Sequence, residues 1–181
     1  MYFVPYTYPG PYYVAGPMPI PRNYPMYGGN SNDSTLYRNE YLHLTDYGNN
    51  PFVTNIEHTS MQNQTFRTAL WTGEHFQVTL MSIGVGEDIG LEVHPNTDQF
   101  LRVEAGQGLV QMGDTEHQLD FERSVSDDDA IIVPAGKWHN LTNTGNTPLK
   151  LYTIYAPPEH PFGTVHRTKA EALAAEEHHH H

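Results

Sequence analysis

Glu92 and His94 stand two residues apart in Gly90-Leu91-Glu92-Val93-His94. In an extended chain both side chains would point to one face, because strand side chains alternate. Pro95 and Asn96 turn the chain. Gln99 then opens the next extended stretch, where it faces back toward the pair. A carboxylate, an imidazole and an amide oxygen thus converge on one point. A second stretch, 131–143, carries Pro134-Ala135-Gly136 as a turn into a strand bearing His139. The chain has no cysteine, which excludes disulfides, thiolate zinc sites, iron–sulfur clusters and a cysteine nucleophile. Any metal must therefore sit on imidazole, carboxylate or amide groups. No Ser-His-Asp arrangement and no phosphate-cradling glycine loop stands out. Gly84-Val85-Gly86 follows a strand but leads to no helix, so the dinucleotide reading fails.

The elements that must position these residues are mostly strands. The pattern predicts β character from about Phe66, with strands near 74–83, 88–94, 99–104, 107–112, 116–122, 130–133, 138–143 and 148–155. Turn residues separate them, among them Ala105-Gly106, Gly113-Asp114 and Gly145-Asn146. Many short strands with regular turns and no intervening helix indicate a sandwich or small barrel. Asn55 is the expected N-cap of a short helix over 55–63. Thr168 is the expected N-cap of a terminal helix through Lys169-Ala170-Glu171-Ala172-Leu173-Ala174-Ala175.

These segments resemble the two motifs of the cupin superfamily. Pro134-x-Gly136-x-x-His139-x-x-x-Asn143 is similar to the second motif from its proline onward, with Asp128 where the leading glycine usually stands. In the first motif His94, the Pro-Asn that follows it and Gly106 match. Glu92 takes the first histidine position, and Gln99 the usual glutamate position. The resemblance implies an all-β jelly-roll barrel over about 70–156, with Glu92, His94, Gln99 and His139 as metal ligands. Two imidazoles, one carboxylate and one amide oxygen make a mixed nitrogen–oxygen site. Such a site suits Zn, Mn, Fe, Co or Ni better than Ca or Mg. One divalent transition metal is the expected cofactor, with Zn, Mn or Fe foremost. The stretches 66–100 and 151–172 look like a bacterial cupin subfamily often labelled mannose-6-phosphate isomerase-like. That likeness implies an isomerase-like activity on a sugar or similar small metabolite.

Lys137 and Trp138, on the turn beside His139, are candidate ligand contacts. Gln77 and Tyr152 are candidates for lining the cavity. Arg67 could hold an anion but reads first as a surface residue, and His43, His58, His75, His117, His160 and His166 read as structural or surface residues. Asp127-Asp128-Asp129 reads as a solvated acidic turn.

Residues 1–30 hold seven of the twelve tyrosines and seven of the fourteen prolines, with Arg22 as their one charged residue. Proline removes amide donors and fixes φ, so this segment reads as neither helix nor central strand. The expected organisation is a Tyr/Pro/Gly-rich arm over 1–33, a cupin domain over 34–163 and a C-terminal helix over 164–177. His178 to His181 read as a purification tag. Tyrosine offers large amphipathic contact area, so the arm is expected to promote assembly between protomers. A row of Ile89, Leu91 and Val93 opposite Glu92 and His94 is expected to mark a homodimer interface, unless the 34–66 segment or the terminal helix covers it within one chain.

Twenty-one acidic against nine basic residues give a formal net charge of -12. That balance opposes binding to nucleic acid or anionic lipid. The mean hydropathy of -0.57 and the lack of a long apolar run exclude a membrane span. With no basic start and no unbroken apolar stretch, no signal peptide is expected. The expected compartment is therefore the cytoplasm, with the spore coat as the alternative. Three functions compete: a metal-dependent isomerase-like enzyme on a small-molecule ligand, a non-catalytic assembly protein whose arm resembles those of spore-coat proteins, and a metal-dependent dioxygenase.

Overall fold

The computed structural model describes residues 43–179. The arm over 1–33, and with it the assembly role expected of it, lies outside the described residues. Among the described residues, nine strands and two short helices follow in chain order. The strands are β1 Arg67–Thr72, β2 Gln77–Ile83, β3 Asp98–Ala105, β4 Gln107–Gly113, β5 Phe121–Ser126, β6 Ala130–Val133, β7 Trp138–Asn143, β8 Leu149–Ala156 and β9 Val165–His166. The helices are α1 Ile56–Gln62, before β1, and α2 Lys169–His179, after β9. Asn55 caps α1 as expected, its Oδ1 accepting from the His58 amide at 2.9 Å. Thr168 caps α2 by accepting from the Glu171 amide at 3.3 Å.

The strands form an antiparallel jelly roll. One sheet runs β6-β3-β8-β2-β1-β9 and the other β5-β4-β7. Between them lie Met81, Ile83, Leu101, Val103, Val110, Leu141, Leu149 and Leu151, all buried in one cluster. Each such side chain contributes about 1.5–3 kcal/mol of burial free energy.

The register grades this inner face from apolar to polar. Val103, Leu151 and Met81 lie side by side across β3, β8 and β2. The next row is Leu101, Thr153 and Thr79, and the row beyond it is Gln99, Tyr155 and Gln77. All nine residues are buried. The apolar end supplies the core, and the polar end of the same strands is where a site can be built.

Several expectations are corrected. Residues 88–94 form no strand; they touch the sheet only through single bridges, Asp88 with Thr142 and Glu92 with His139. Gly90, at φ 97°, breaks the ladder between those bridges. The strand expected over 116–122 begins at Phe121, because a turn closed by the Gln118 amide on the Thr115 carbonyl consumes the residues before it. Residues 67–72 form a strand of their own rather than a lead-in to 74–83. The terminal helix starts at Lys169, as the Thr168 cap implies, and within the segment 164–177 Val165 and His166 instead pair with Thr68 and Arg67.

The apolar row is not one exposed face. Ile89 is 4% exposed and shares the core with Ala172 of α2, whereas Leu91 is 44% exposed. Lys169 of α2 also donates to Asp88 Oδ1 at 2.7 Å, so the terminal helix covers part of this segment within one chain.

Asn143, the last residue of the second motif, is a structural clamp. Its Nδ2 donates to the carbonyls of Ile83 and Thr147, both at 2.9 Å, and its Oδ1 accepts from the Gly145 amide at 2.9 Å. Gly136 serves the motif's turn with φ 79°, and its amide donates to the His94 carbonyl at 2.8 Å. The two motifs are thus joined through backbone before any side chain meets.

Candidate metal centre

Glu92 and His139 face each other through a reciprocal backbone bridge. The Glu92 amide donates to the His139 carbonyl at 3.0 Å, and the His139 amide to the Glu92 carbonyl at 2.9 Å. Residues opposed in this way carry their side chains on the same face. Glu92 Oε1 lies 3.3 Å from His139 Nε2 and 3.4 Å from His94 Nε2. The candidate ligand atoms of Glu92, His94 and His139 all lie within 4.8 Å of one another. Gln99 joins from the first residues of β3, in the polar row beside Tyr155.

Four buried atoms here have no hydrogen-bond partner: Glu92 Oε1, His94 Nε2, Gln99 Oε1 and His139 Nε2. A buried polar atom left unpartnered costs about 1–3 kcal/mol, so four together call for an occupant. The remaining polar atoms of these side chains explain the orientation. Gln99 Nε2 donates to Thr153 Oγ1 at 3.3 Å, so its Oε1 is the unpartnered end of the amide. His139 Nδ1 faces the Lys137 carbonyl at 3.0 Å, and His94 Nδ1 faces Glu159 Oε1 at 3.2 Å. An acceptor opposite each Nδ1 places the proton there and gives Nε2 the lone pair. The residues therefore fit a metal ion: two imidazole lone pairs, a carboxylate oxygen and an amide oxygen.

The electrostatics follow from the same contacts. Burial pushes the Glu92 carboxyl up, but its contacts with His139 and His94 and the charge of Arg67 outweigh this and hold it well below the usual carboxylate range. In the metal-free protein burial pushes His94 down, yet Glu159 and Glu92 overcome it and raise the imidazole to about 9, so a metal ion must displace the Nε2 proton to use that lone pair. Contact with His94 lowers the Glu159 carboxyl against a smaller opposing effect of burial.

Arg67 is corrected from surface to interior. It is 1% exposed, and its Nη2 lies 4.0 Å from Glu92 Oε2. Its side chain points into the interior toward Glu92, while the β1 backbone is paired on both edges by β2 and β9. Gln77 also points inward, but it binds backbone. Its Nε2 donates to the His160 carbonyl at 2.9 Å and its Oε1 accepts from the His160 amide at 3.0 Å. Tyr152 lies on the other face of β8, beside Phe100. Lys137 pairs its ammonium with Asp114, and its carbonyl supports His139. Alternation along β7 turns Trp138 to the face opposite His139. His43, His58, His75 and His117 are exposed. Sequence reasoning missed Glu159, although Pro157-Pro158-Glu159-His160-Pro161 sets an acid and an imidazole between prolines.

His160 gives a pH prediction. Burial, then the charge of Arg67, lowers its imidazole to about 3, so it is neutral in the folded protein. The unfolded chain protonates this group below the ordinary value of 6.5. Its contribution to stability is therefore present at neutral pH and declines as pH falls from about 6.5 toward 3. Melting of metal-free protein across that window is expected to show a shallower acid dependence in His160→Phe than in the parent. Parallel curves for the two proteins would contradict this.

Comparison with known proteins agrees with this architecture. Residues 79–155 match the Cupin domain family. YrkC of Bacillus subtilis (strain 168) is 57% identical over 186 residues, spanning 98% of this chain and 100% of that protein. The crystal structure of BH2720 from Bacillus halodurans superposes with a TM-score of 0.71 at 67% identity, covering 72% of this chain and 98% of that one. This chain is a cupin. TT1209 from Thermus thermophilus shares the fold, at 19% identity and a TM-score of 0.51, covering 59% of this cupin and 98% of that chain. Among the described residues of this cupin no helix is long and apolar enough to cross a membrane.

Proposed function

We propose that this cupin holds one divalent transition metal, Zn, Mn or Fe, on Glu92 Oε1, Gln99 Oε1 and the Nε2 atoms of His94 and His139. The observation that carries this reading is that the ligand atoms of Glu92, His94 and His139 lie within 4.8 Å of one another, and that they and Gln99 Oε1 are buried without partners. When bound, the metal supplies Lewis-acid polarisation of a carbonyl or hydroxyl oxygen.

A divalent ion held on these residues would favour an oxygen-rich small ligand beside it. An isomerase-like activity on a sugar or similar metabolite is the reading that best uses such a centre.

Elemental analysis is the test, on protein lacking the terminal histidine run, which could itself carry metal. Close to one equivalent of metal per chain is expected, and its loss in a Glu92→Ala, His94→Ala double variant. Metal content that is near zero in the parent, or equal in the two proteins, would overturn the proposal.

A further inference from the structure

We propose that residues 157–163 are a strap built over the metal centre, and that Glu159 is the positioning residue through which the strap acts on His94. The inference rests on the metal reading above and assigns to this cupin a fifth residue that sets metal affinity.

The strap leaves β8 after Ala156 and is pinned by side chains from distant parts of the chain. Gln77, fully buried on β2, holds both backbone polar groups of His160 at 2.9 and 3.0 Å. Asp46 Oδ2 accepts from the Gly163 amide at 3.0 Å and from Thr72 Oγ1 at 2.6 Å. The His160 ring packs edge-on against Tyr155, with centroids 5.0 Å apart, and Tyr155 in turn meets the His94 ring edge-on at 5.5 Å. Glu159 is the residue immediately before the pinned His160. Fixing that backbone fixes where its carboxylate falls, and it falls 3.2 Å from His94 Nδ1. Thr97, buried on the turn between His94 and Gln99, also helps to lower the Glu159 carboxyl. Glu159 thus ties the strap to the turn that carries two of the four ligands.

The two imidazoles are supported differently. His139 Nδ1 meets a backbone carbonyl, a neutral acceptor that no side-chain substitution removes. His94 Nδ1 meets a carboxylate, which holds the proton on Nδ1, fixes the ring and makes Nε2 a stronger donor. Glu159 is 30% exposed on its side chain, so replacing it leaves no large cavity. Its loss should weaken the metal site more than the fold.

The experiment uses the full chain without the terminal histidine run, as parent, Glu159→Gln and Glu159→Ala. Zinc affinity is measured by chelator competition, and the visible spectrum of the cobalt-loaded protein reports the ligand field. Glu159→Ala is expected to lower zinc affinity about 10–100-fold. Glu159→Gln keeps an acceptor oxygen but loses the charge, and is expected to fall between. Both should shift the cobalt bands, which a role in folding alone would not do. Zinc affinities within about threefold of the parent, with unchanged cobalt bands, would overturn the proposal while leaving the metal site standing. A parent that takes up no zinc or cobalt would overturn the metal reading and this inference with it. Should Glu159→Ala fail to fold, the isosteric Glu159→Gln decides alone.

Discussion

His139→Ala is expected to remove most of the metal affinity proposed for this cupin, and Gln99→Ala much less. Imidazole is a stronger ligand than a neutral amide for first-row divalent ions. Groups that only support a ligand cost about 10–100-fold in affinity when lost, so removing the imidazole itself is expected to cost roughly 1,000-fold. Gln99 retains a second reason to be present, its bond to Thr153, so its loss also frees a buried hydroxyl. The expected loss for Gln99→Ala is about tenfold. Titration of both variants with zinc and manganese, on protein without the histidine run, measures the difference. His139 is 1% exposed, so the melting temperature of each metal-free variant is needed to show that a folded barrel was titrated. Equal losses would mean that the four residues do not act as the ligand set described here.

Asn143→Ala is expected to be the most destabilising of the changes considered, while sparing the metal centre. Asn143 is almost fully buried, and its side chain makes three hydrogen bonds, two of them to the carbonyls of Ile83 and Thr147. Alanine leaves those carbonyls without this donor. At about 1–3 kcal/mol for each buried group left unpartnered, the loss is about 3–5 kcal/mol. For a domain of this size that lowers the melting temperature by roughly 10–15 °C. The zinc affinity of the folded fraction should stay within about threefold of the parent, since Asn143 lies four residues beyond His139, at the other end of β7. A change in melting temperature below about 3 °C would remove the clamp from the account of this fold. A large drop in zinc affinity would instead join Asn143 to the metal site.

Much of the candidate site was legible because its members are close in sequence and alternate. Glu92 and His94 are two residues apart, and Gln99 follows one turn later. The Pro134-x-Gly136 turn fixes where His139 begins its strand. The reading of 88–94 as a strand was wrong in form, yet the bridge at Glu92 imposes the same pairing with His139 that a strand would have given. Arg67 was misread for a physical reason. A charged residue at the start of a strand is normally solvated, and only the tertiary arrangement places this side chain inside, beside Glu92. Glu159 was missed because nothing local links it to His94, sixty-five residues earlier. Tyr152 and Gln77 were equally plausible as lining residues, until the register of β8 against β2 turned one outward and the other inward.

The sequence alone determined the strand-rich class, most strand positions from 98 onward, both helix caps and the types of the four candidate ligands. Those properties depend on alternation, turn residues and capping side chains, all of which act within a few residues. The tertiary structure decided which atoms point at one another. It graded the inner face of β2, β3 and β8 from apolar to polar, buried Arg67 beside Glu92, and brought the 157–163 strap over His94. Those outcomes depend on pairings between residues tens of positions apart. A register shift of one residue would reverse every side chain on a strand, and only the assembled sheets fix that register.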